Sequence, residues 1–87
     1  MLLSYAPNHL IHNRYGFITP KRLGKAVKRN RVRRQMREAI RHLHPHLKQG
    51  YDMVIIARLP LMGQPFHKIQ RIIDELCDRA SLVIKEF

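Results

Sequence analysis

The stretch "GKAVKRNRVRRQMREAIR", from Gly24 to Arg41, decides the fold because it combines dense positive charge with regularly spaced apolar residues. At about 100° per residue of an α-helix, one side of the helical wheel collects Val32, Met36, Ala39, Ile40 and Leu43. The opposite side collects Asn30, Arg34, Arg37 and Arg41, flanked by Arg31 and Arg33. A disordered basic tail has no need of an apolar side, so the pattern predicts a helix that packs on a core and presents cations outward.

Glu38 is the only acid in this stretch. It lies one helical turn from Arg34 and from Arg41, so we expect it to orient both guanidinium groups. An ordinary solvated helix face is the alternative, but such faces usually mix charges of both signs. Arginine can also hold a phosphate through two parallel hydrogen bonds. The cationic side therefore favours contact with a polyanion.

The composition of the whole chain points the same way. Its 87 residues include 17 Lys and Arg against six Asp and Glu, for a net charge of +11. Such a charge attracts polyanions, with nucleic acid as the leading partner and an anionic membrane surface as the alternative. Hydrophobic residues make up 45% of the chain, which is typical of a folded protein. We expect a single nucleic-acid-binding domain over residues 1–87 with one modest core.

Cysteine usage and hydropathy predict a cytoplasmic protein. Cys77 is the only cysteine, so no internal disulfide can form, which favours a reducing compartment. No run approaches the roughly 20 apolar residues that cross a bilayer. The N-terminal "MLLSYAPNHL" also lacks the basic region with which a signal peptide begins.

The remaining elements follow from local patterns. "LLSYA" (Leu2–Ala6) and "RYGFIT" (Arg14–Thr19) are strand candidates that we expect to form a hairpin. A helix over Ala26–Leu43 should end before Pro45, and "YDMVIIARL" (Tyr51–Leu59) fits a buried central strand. Apolar residues recur at helical spacing from Phe66 to Val83. The order β-β-α-β-α predicts an α+β sandwich with helices packed on a small sheet.

The sequence from Arg14 to Arg41 closely resembles the signature of the protein subunit of bacterial ribonuclease P. The motifs that carry the resemblance are Arg14-Tyr15-Gly16, Lys21-Arg22, Gly24-Lys25-Ala26-Val27, Arg29-Asn30-Arg31, and the basic helix from Arg34 to Glu38. The downstream "GYDMVIIAR" resembles the next strand of the family. The resemblance covers nearly the whole chain.

This resemblance implies a protein subunit that binds a catalytic RNA and assists 5′ maturation of precursor tRNA. The RNA, with Mg²⁺, would perform the hydrolysis, and the protein would assist the binding of the 5′ leader and of metal ions. No catalytic residue is expected in the protein, and no residue of it is singled out as a metal ligand. The implied RNA-binding residues are Lys21, Arg22, Lys25, Lys28, Arg29, Asn30, Arg31, Arg33, Arg34, Arg37 and Arg41. Their side chains suit phosphate and sugar contacts that position a folded RNA.

The resemblance also implies three structural features. Tyr5 would lie in a cleft that holds the single-stranded leader of precursor tRNA, where a base can stack on its ring; the alternative is a half-buried strand residue. The β-α-β crossover around the basic helix would be left-handed, against the general right-handed rule. Family members usually carry a basic segment and a helix before the first strand. If that helix is absent, we expect an exposed apolar sheet face and self-association.

Other candidate sites are weaker. His42, His44 and His46 alternate in "HLHPHL", which resembles a metal-binding tract, but a cationic helix C-terminus is the favoured interpretation. Cys77 is expected in the core. No serine–histidine–aspartate order, phosphate loop or carboxylate pair indicates catalysis by the protein.

Two alternatives to the ribonuclease P subunit stay open. One is a different basic module that binds RNA or DNA; a helix that reads a DNA groove would carry base-reading side chains among its phosphate contacts. The other is a membrane-surface protein, whose helix would carry bulky aromatic residues on its apolar side. Residues 26–43 contain no Trp or Phe.

Overall fold

Two helices pack on one face of a three-stranded sheet in the computed structural model, which describes residues 1–58 and 63–84. In chain order the elements are β1 (Leu2–Pro7), β2 (Arg14–Ile18), α1 (Ala26–Leu43), β3 (Tyr51–Ile56) and α2 (Phe66–Arg79). The predicted α+β class, the order β-β-α-β-α and the bounds of α1 are confirmed. Leu59, the predicted last residue of the third strand, lies outside the described residues.

The predicted hairpin of β1 and β2 is wrong. The strand order is β1-β3-β2, with β3 antiparallel to β1 and parallel to β2. β3 takes the centre because it is the most continuously apolar strand, and a central strand loses the most contact with water. The parallel unit β2–α1–β3 is therefore present, whereas the left-handed sense of its crossover stays a prediction.

The side chain of Asn13 hydrogen-bonds the β1–β2 connection to the start of β3. Its side-chain Nδ2 donates to Tyr15 Oη (3.0 Å) and to the carbonyl oxygen of Lys48 (2.9 Å), and its Oδ1 accepts from the backbone N–H of Tyr51 (2.8 Å). Only 7% of Asn13 is exposed, so these bonds replace water that the side chain cannot reach. The network joins the residue before β2 to the first residue of β3.

The core lies between the sheet and the two helices. Met53 and Ile55 point from the inner face of β3, and on α2 Ile69, Ile73 and Cys77 are fully buried against them. Burial raises the pKa of the Cys77 thiol to about 11, which fits the core role predicted for it and disfavours a reactive thiolate.

Where the helices meet, a hydrogen bond joins α2 to the backbone of α1. Gln70 Nε2 donates to the Ala39 carbonyl oxygen at 3.1 Å. Ala39 is fully buried, and its small side chain leaves room for this close approach.

The C-terminal helix is shorter than its sequence predicts. α2 ends at Arg79, so Val83 is not on the helix but pairs with Leu47 in an isolated antiparallel bridge. The backbone turns at Ser81, whose φ is 59°, and the N–H groups of Ser81 and Leu82 bond back to the carbonyls of Asp78 and Cys77. This is the Schellman arrangement, which usually has glycine at the turning residue. Because serine is uncommon at this position, the sequence did not predict that the helix ends here.

The outer face of the sheet carries no helix within the described part of the chain. Leu2 at one edge and Ile18 at the other are each nearly half exposed, and both lie opposite Ile56 in the strand register. This apolar surface is of the kind from which self-association was expected. Self-association itself stays a prediction.

Candidate nucleic-acid interface

Helix α1 has the two sides that its sequence predicts. Val32, Met36, Ala39 and Ile40 are buried, and Leu43 packs partly buried against them. These contacts fix the rotation of the helix on the sheet. Packing of the apolar side consequently holds the cationic side outward, even though its like charges repel one another.

Most of the predicted RNA-binding residues are exposed. Those exposed are Lys21, Arg22, Lys25, Lys28, Asn30, Arg31, Arg34, Arg37 and Arg41, whereas Arg29 and Arg33 are partly buried. They come from two neighbouring pieces of chain: α1 itself and a single 3₁₀ turn at Lys21–Leu23, anchored by the buried Leu23. All eleven predicted residues therefore lie on α1, on its cap residue Lys25 or on this turn.

The N-terminus of α1 adds positive potential to this region. Its cap residue, Lys25, makes no side-chain hydrogen bond to the helix, and the first turn contains no acid. The unpaired N–H groups and the helix dipole both favour an anion at this end. Gly24 precedes the cap with φ of 124°, a conformation that a residue with a Cβ rarely adopts.

Two arginines of the set have structural roles that the sequence did not indicate. Arg33 Nη2 donates to Thr19 Oγ1 at 2.6 Å, and its Nε is buried with no hydrogen-bond partner among the described residues. Arg29 Nε donates to the Gly24 carbonyl oxygen at 3.1 Å, which closes the turn before the helix. Arg33 joins α1 to the residue that follows β2, so we assign it partly to the fold.

Arg37 lies over an aromatic ring at the flank of α1. Its Cζ is 5.8 Å from the centroid of the Phe17 ring, on the inner face of β2. A guanidinium at this distance is attracted to the ring and loses freedom of movement. The sequence gave no sign of this contact, because helical periodicity does not reveal which strand residue faces a helix.

Glu38 pairs with Arg41 but not with Arg34, so the expectation that it orients both is half wrong. Its carboxylate accepts from Arg41 Nε (3.0 Å) and Nη2 (2.5 Å), and His42 Nε2 lies 3.1 Å from Oε1. The Arg41 hydrogen bonds, with a smaller contribution from His42, lower the pKa of Glu38 to about 2. Arg34 makes no ion pair with a residue in the described ranges.

Two paired carboxylates should contribute to the loss of stability in acid. Asp52 accepts from Arg14 Nη2 (2.6 Å) and Asn8 Nδ2 (3.0 Å), and these bonds, Arg14 first, lower its pKa to about 2. In the unfolded chain a carboxyl group has a pKa near 4. The stabilising effect of the Asp52 pair is therefore complete above about pH 4 and disappears as the pH falls towards 2. We expect the urea midpoint of Asp52→Asn to fall less steeply than that of the wild type between about pH 4 and pH 2.

Glu38→Gln should also make stability depend less on pH in acid. Its effect should add to that of Asp52→Asn, because Arg41 lowers the pKa of Glu38 whereas Arg14 lowers that of Asp52. The check is urea unfolding of the two single variants and the double variant from pH 2 to pH 7. Identical pH profiles for the wild type and the double variant would show that neither pair matters to stability.

Tyr5 lies near one end of β1, an edge strand, at 46% exposure. Its ring meets that of Tyr51 edge-on, with centroids 6.3 Å apart and planes at 65°. Tyr5 is thus accessible enough to stack on a base, and its leader-binding role stays a prediction.

The three histidines of "HLHPHL" have different surroundings. His42 contacts Glu38, His44 Nδ1 lies 2.6 Å from Tyr15 Oη, and His46 belongs to a 3₁₀ turn after α1. Within residues 1–58 and 63–84, no group of three His, Cys, Asp or Glu side chains is placed to hold a metal ion.

Comparisons with known proteins agree on one family. The sequence profile described as Ribonuclease P matches residues 1–81. The chain is 44% identical over 84 residues to the ribonuclease P protein component of Roseiflexus sp. (strain RS-1), covering 95% of this chain and 69% of that protein.

Two solved structures have the same fold. The RNase P protein of Staphylococcus aureus aligns with a TM-score of 0.83 at 28% identity, covering 93% of this chain and 74% of that one. The RNase P protein of Thermotoga maritima aligns with a TM-score of 0.82 at 26% identity, covering 88% and 74%.

Proposed function

Because this chain belongs to the family of ribonuclease P protein components, we propose that it binds ribonuclease P RNA through α1 and thereby assists 5′ maturation of precursor tRNA. The observation that carries the proposal is the exposed cationic side of α1, held outward by the buried apolar side of the same helix. The partner must supply the negative charge, since Glu38 is the only acid on this helix.

The arrangement suits contact with the RNA backbone. Arg34 has no ion pair within the described residues, and Arg41 keeps Nη1 available while Glu38 holds Nε and Nη2. Restrained guanidinium groups lose less freedom when they bind a phosphate. Asn30, exposed among them, adds an acceptor as well as donors, which allows a bond to a ribose 2′-hydroxyl.

The chemistry of cleavage is proposed to belong to the RNA. Magnesium prefers oxygen ligands, mainly carboxylates and phosphates, and the two carboxylates with lowered pKa in this chain are already held by Arg14 and Arg41. We therefore propose that the Mg²⁺ used in cleavage is bound by the RNA and not by these two carboxylates. The protein's contribution is to position RNA and to neutralise phosphate charge, which reduces the Mg²⁺ needed to fold the complex.

Precursor tRNA is the proposed second partner, with Tyr5 as a stacking surface for the leader. The proposal includes no membrane partner. No helix in the described ranges is sufficiently long and apolar to cross a bilayer. We place the protein in the cytoplasm, where its substrate is made and where the thiol of Cys77 stays reduced.

Cleavage of precursor tRNA at low Mg²⁺ tests the function. Added to a bacterial ribonuclease P RNA, the protein should restore cleavage of the 5′ leader at a Mg²⁺ concentration where the RNA alone is slow. The control is an unrelated basic protein of similar size and charge. Stimulation no greater than that of the control would contradict the assignment.

A further inference from the structure

A cavity of about 250 Å³ separates α1 from the segment that leads into α2. From α1 it is lined by Lys28, Arg31, Val32 and Gln35, and from the other side by Gly63 and Gln64. Lys28, Arg31 and Gln35 are spaced i, i+3 and i+7, so they share one flank of the helix. This flank is distinct from the outward stripe of Asn30, Arg34, Arg37 and Arg41.

We propose that this cavity binds one unpaired nucleotide of the ribonuclease P RNA, with its phosphate on Lys28 and Arg31 and its base against Gln35 and Gln64. The inference rests on the proposed function and adds a subsite to it. Gln35 and Gln64 were not among the RNA-binding residues that the sequence indicates.

The glutamines carry the inference. Both are half-buried, and neither makes a hydrogen bond to a residue within 1–58 or 63–84. The other two glutamines of the chain are hydrogen-bonded: Gln49 accepts from the Asn13 N–H and donates to the Leu47 carbonyl, and Gln70 donates to the Ala39 carbonyl and to Asp74. A carboxamide offers both a donor and an acceptor, which is the pattern that the edge of a base presents.

Charge and size fit one nucleotide. Lys28 and Arg31 supply two cations, and none of the described residues that line the cavity is a carboxylate. Two grooves farther along the molecule include Asp74 in their walls, which would repel a phosphate. The volume lies just below the roughly 300–1,000 Å³ of sites that enclose a drug-sized ligand, so one base with its phosphate is a better match than a folded segment.

The walls leave space for a flat ring. The buried Val32 gives an apolar floor, and Gly63, with φ of 77°, would have no atom within 4 Å of a Cβ placed on it. A base can therefore contact the aliphatic surface of Val32 without meeting a side chain from Gly63.

The first measurement uses the wild-type protein and the side-chain NH₂ signals of its four glutamines in ¹⁵N NMR spectra. The probes are the four ribonucleoside 5′-monophosphates, each added separately, and inorganic phosphate. We expect at least one nucleotide to shift the signals of Gln35 and Gln64 while those of Gln49 and Gln70 stay in place. Phosphate alone should leave all four unchanged. Equal shifts with phosphate, or none with any nucleotide, would overturn the proposal.

The second measurement uses the double variant Gln35→Met and Gln64→Met, which preserves side-chain length and charge. Its affinity for ribonuclease P RNA should fall about tenfold, with an unchanged slope of log affinity against log salt because no cation is lost. Its urea midpoint should match the wild type, which excludes misfolding as the cause.

The two results separate the possible failures. If the wild type does not bind ribonuclease P RNA, the proposed function fails. If the wild type binds and the double variant binds equally well, the function stands and the nucleotide site is overturned, even where free nucleotides shift the glutamine signals.

Discussion

Replacement of Arg34, Arg37 and Arg41 together with alanine is expected to weaken binding of ribonuclease P RNA by about 10- to 100-fold near physiological salt. Each phosphate contact releases counterions from the RNA, so the slope of log affinity against log salt should fall by about 2 to 3. All three side chains are exposed on α1, and none belongs to the buried stripe. The fold should survive the change, and the measurement is a binding titration at several salt concentrations.

A matched control is available on the second helix. Lys68, Arg71 and Arg79 are exposed on α2, so replacing these three with alanine lowers the net charge by the same amount. If α1 is the contact surface, this control should keep nearly the full salt slope. Equal losses in the two triple variants would mean that RNA responds to overall charge and that α1 has no special role.

Arg33 is not included in the triple variant of α1. Its bond to Thr19 and its buried Nε make it part of the packing between α1 and the end of β2. Removing it would leave Thr19, which is 5% exposed, without this partner, so a loss of RNA affinity there would mix stability with binding.

The sequence predicts α1 well because its evidence is local. Apolar residues at helical spacing fixed both its existence and its buried side, and Pro45 limited its end. The end of α2 was missed because its turn uses Ser81 in place of glycine. The false hairpin has a different cause: the bonds of Asn13 to Lys48 and Tyr51 span more than 30 residues, and no short-range pattern reports them.

The same division holds for the candidate site. Which residues form the cationic side follows from the helical repeat, because all members lie on one element or on the turn before it. Which of them are restrained depends on neighbours from elsewhere in the chain, such as Phe17 beneath Arg37. The cavity beside Gln35 also required the fold, since Gln64 lies 29 positions farther along the sequence.

Asn13→Ala is expected to lower the free energy of unfolding by about 2–4 kcal/mol, because it leaves two partly buried backbone groups without this partner. The Asn13 side chain holds the Lys48 carbonyl and the Tyr51 N–H, and water has little access to replace it at 7% exposure. Such a loss is a large part of the 5–15 kcal/mol typical of whole domains. Urea unfolding measures it directly.

Asn30→Ala is the matched control, since it makes the same substitution at an exposed position of α1. Its stability should change by less than about 0.5 kcal/mol, while its RNA affinity should fall if Asn30 contacts a ribose or phosphate. The two asparagines thus separate the two roles: Asn13 should affect folding and Asn30 binding. If Asn13→Ala unfolded at the same urea concentration as Asn30→Ala, the side-chain network would not be what keeps β2 beside β3, and the apolar character of β3 alone would have to account for the strand order.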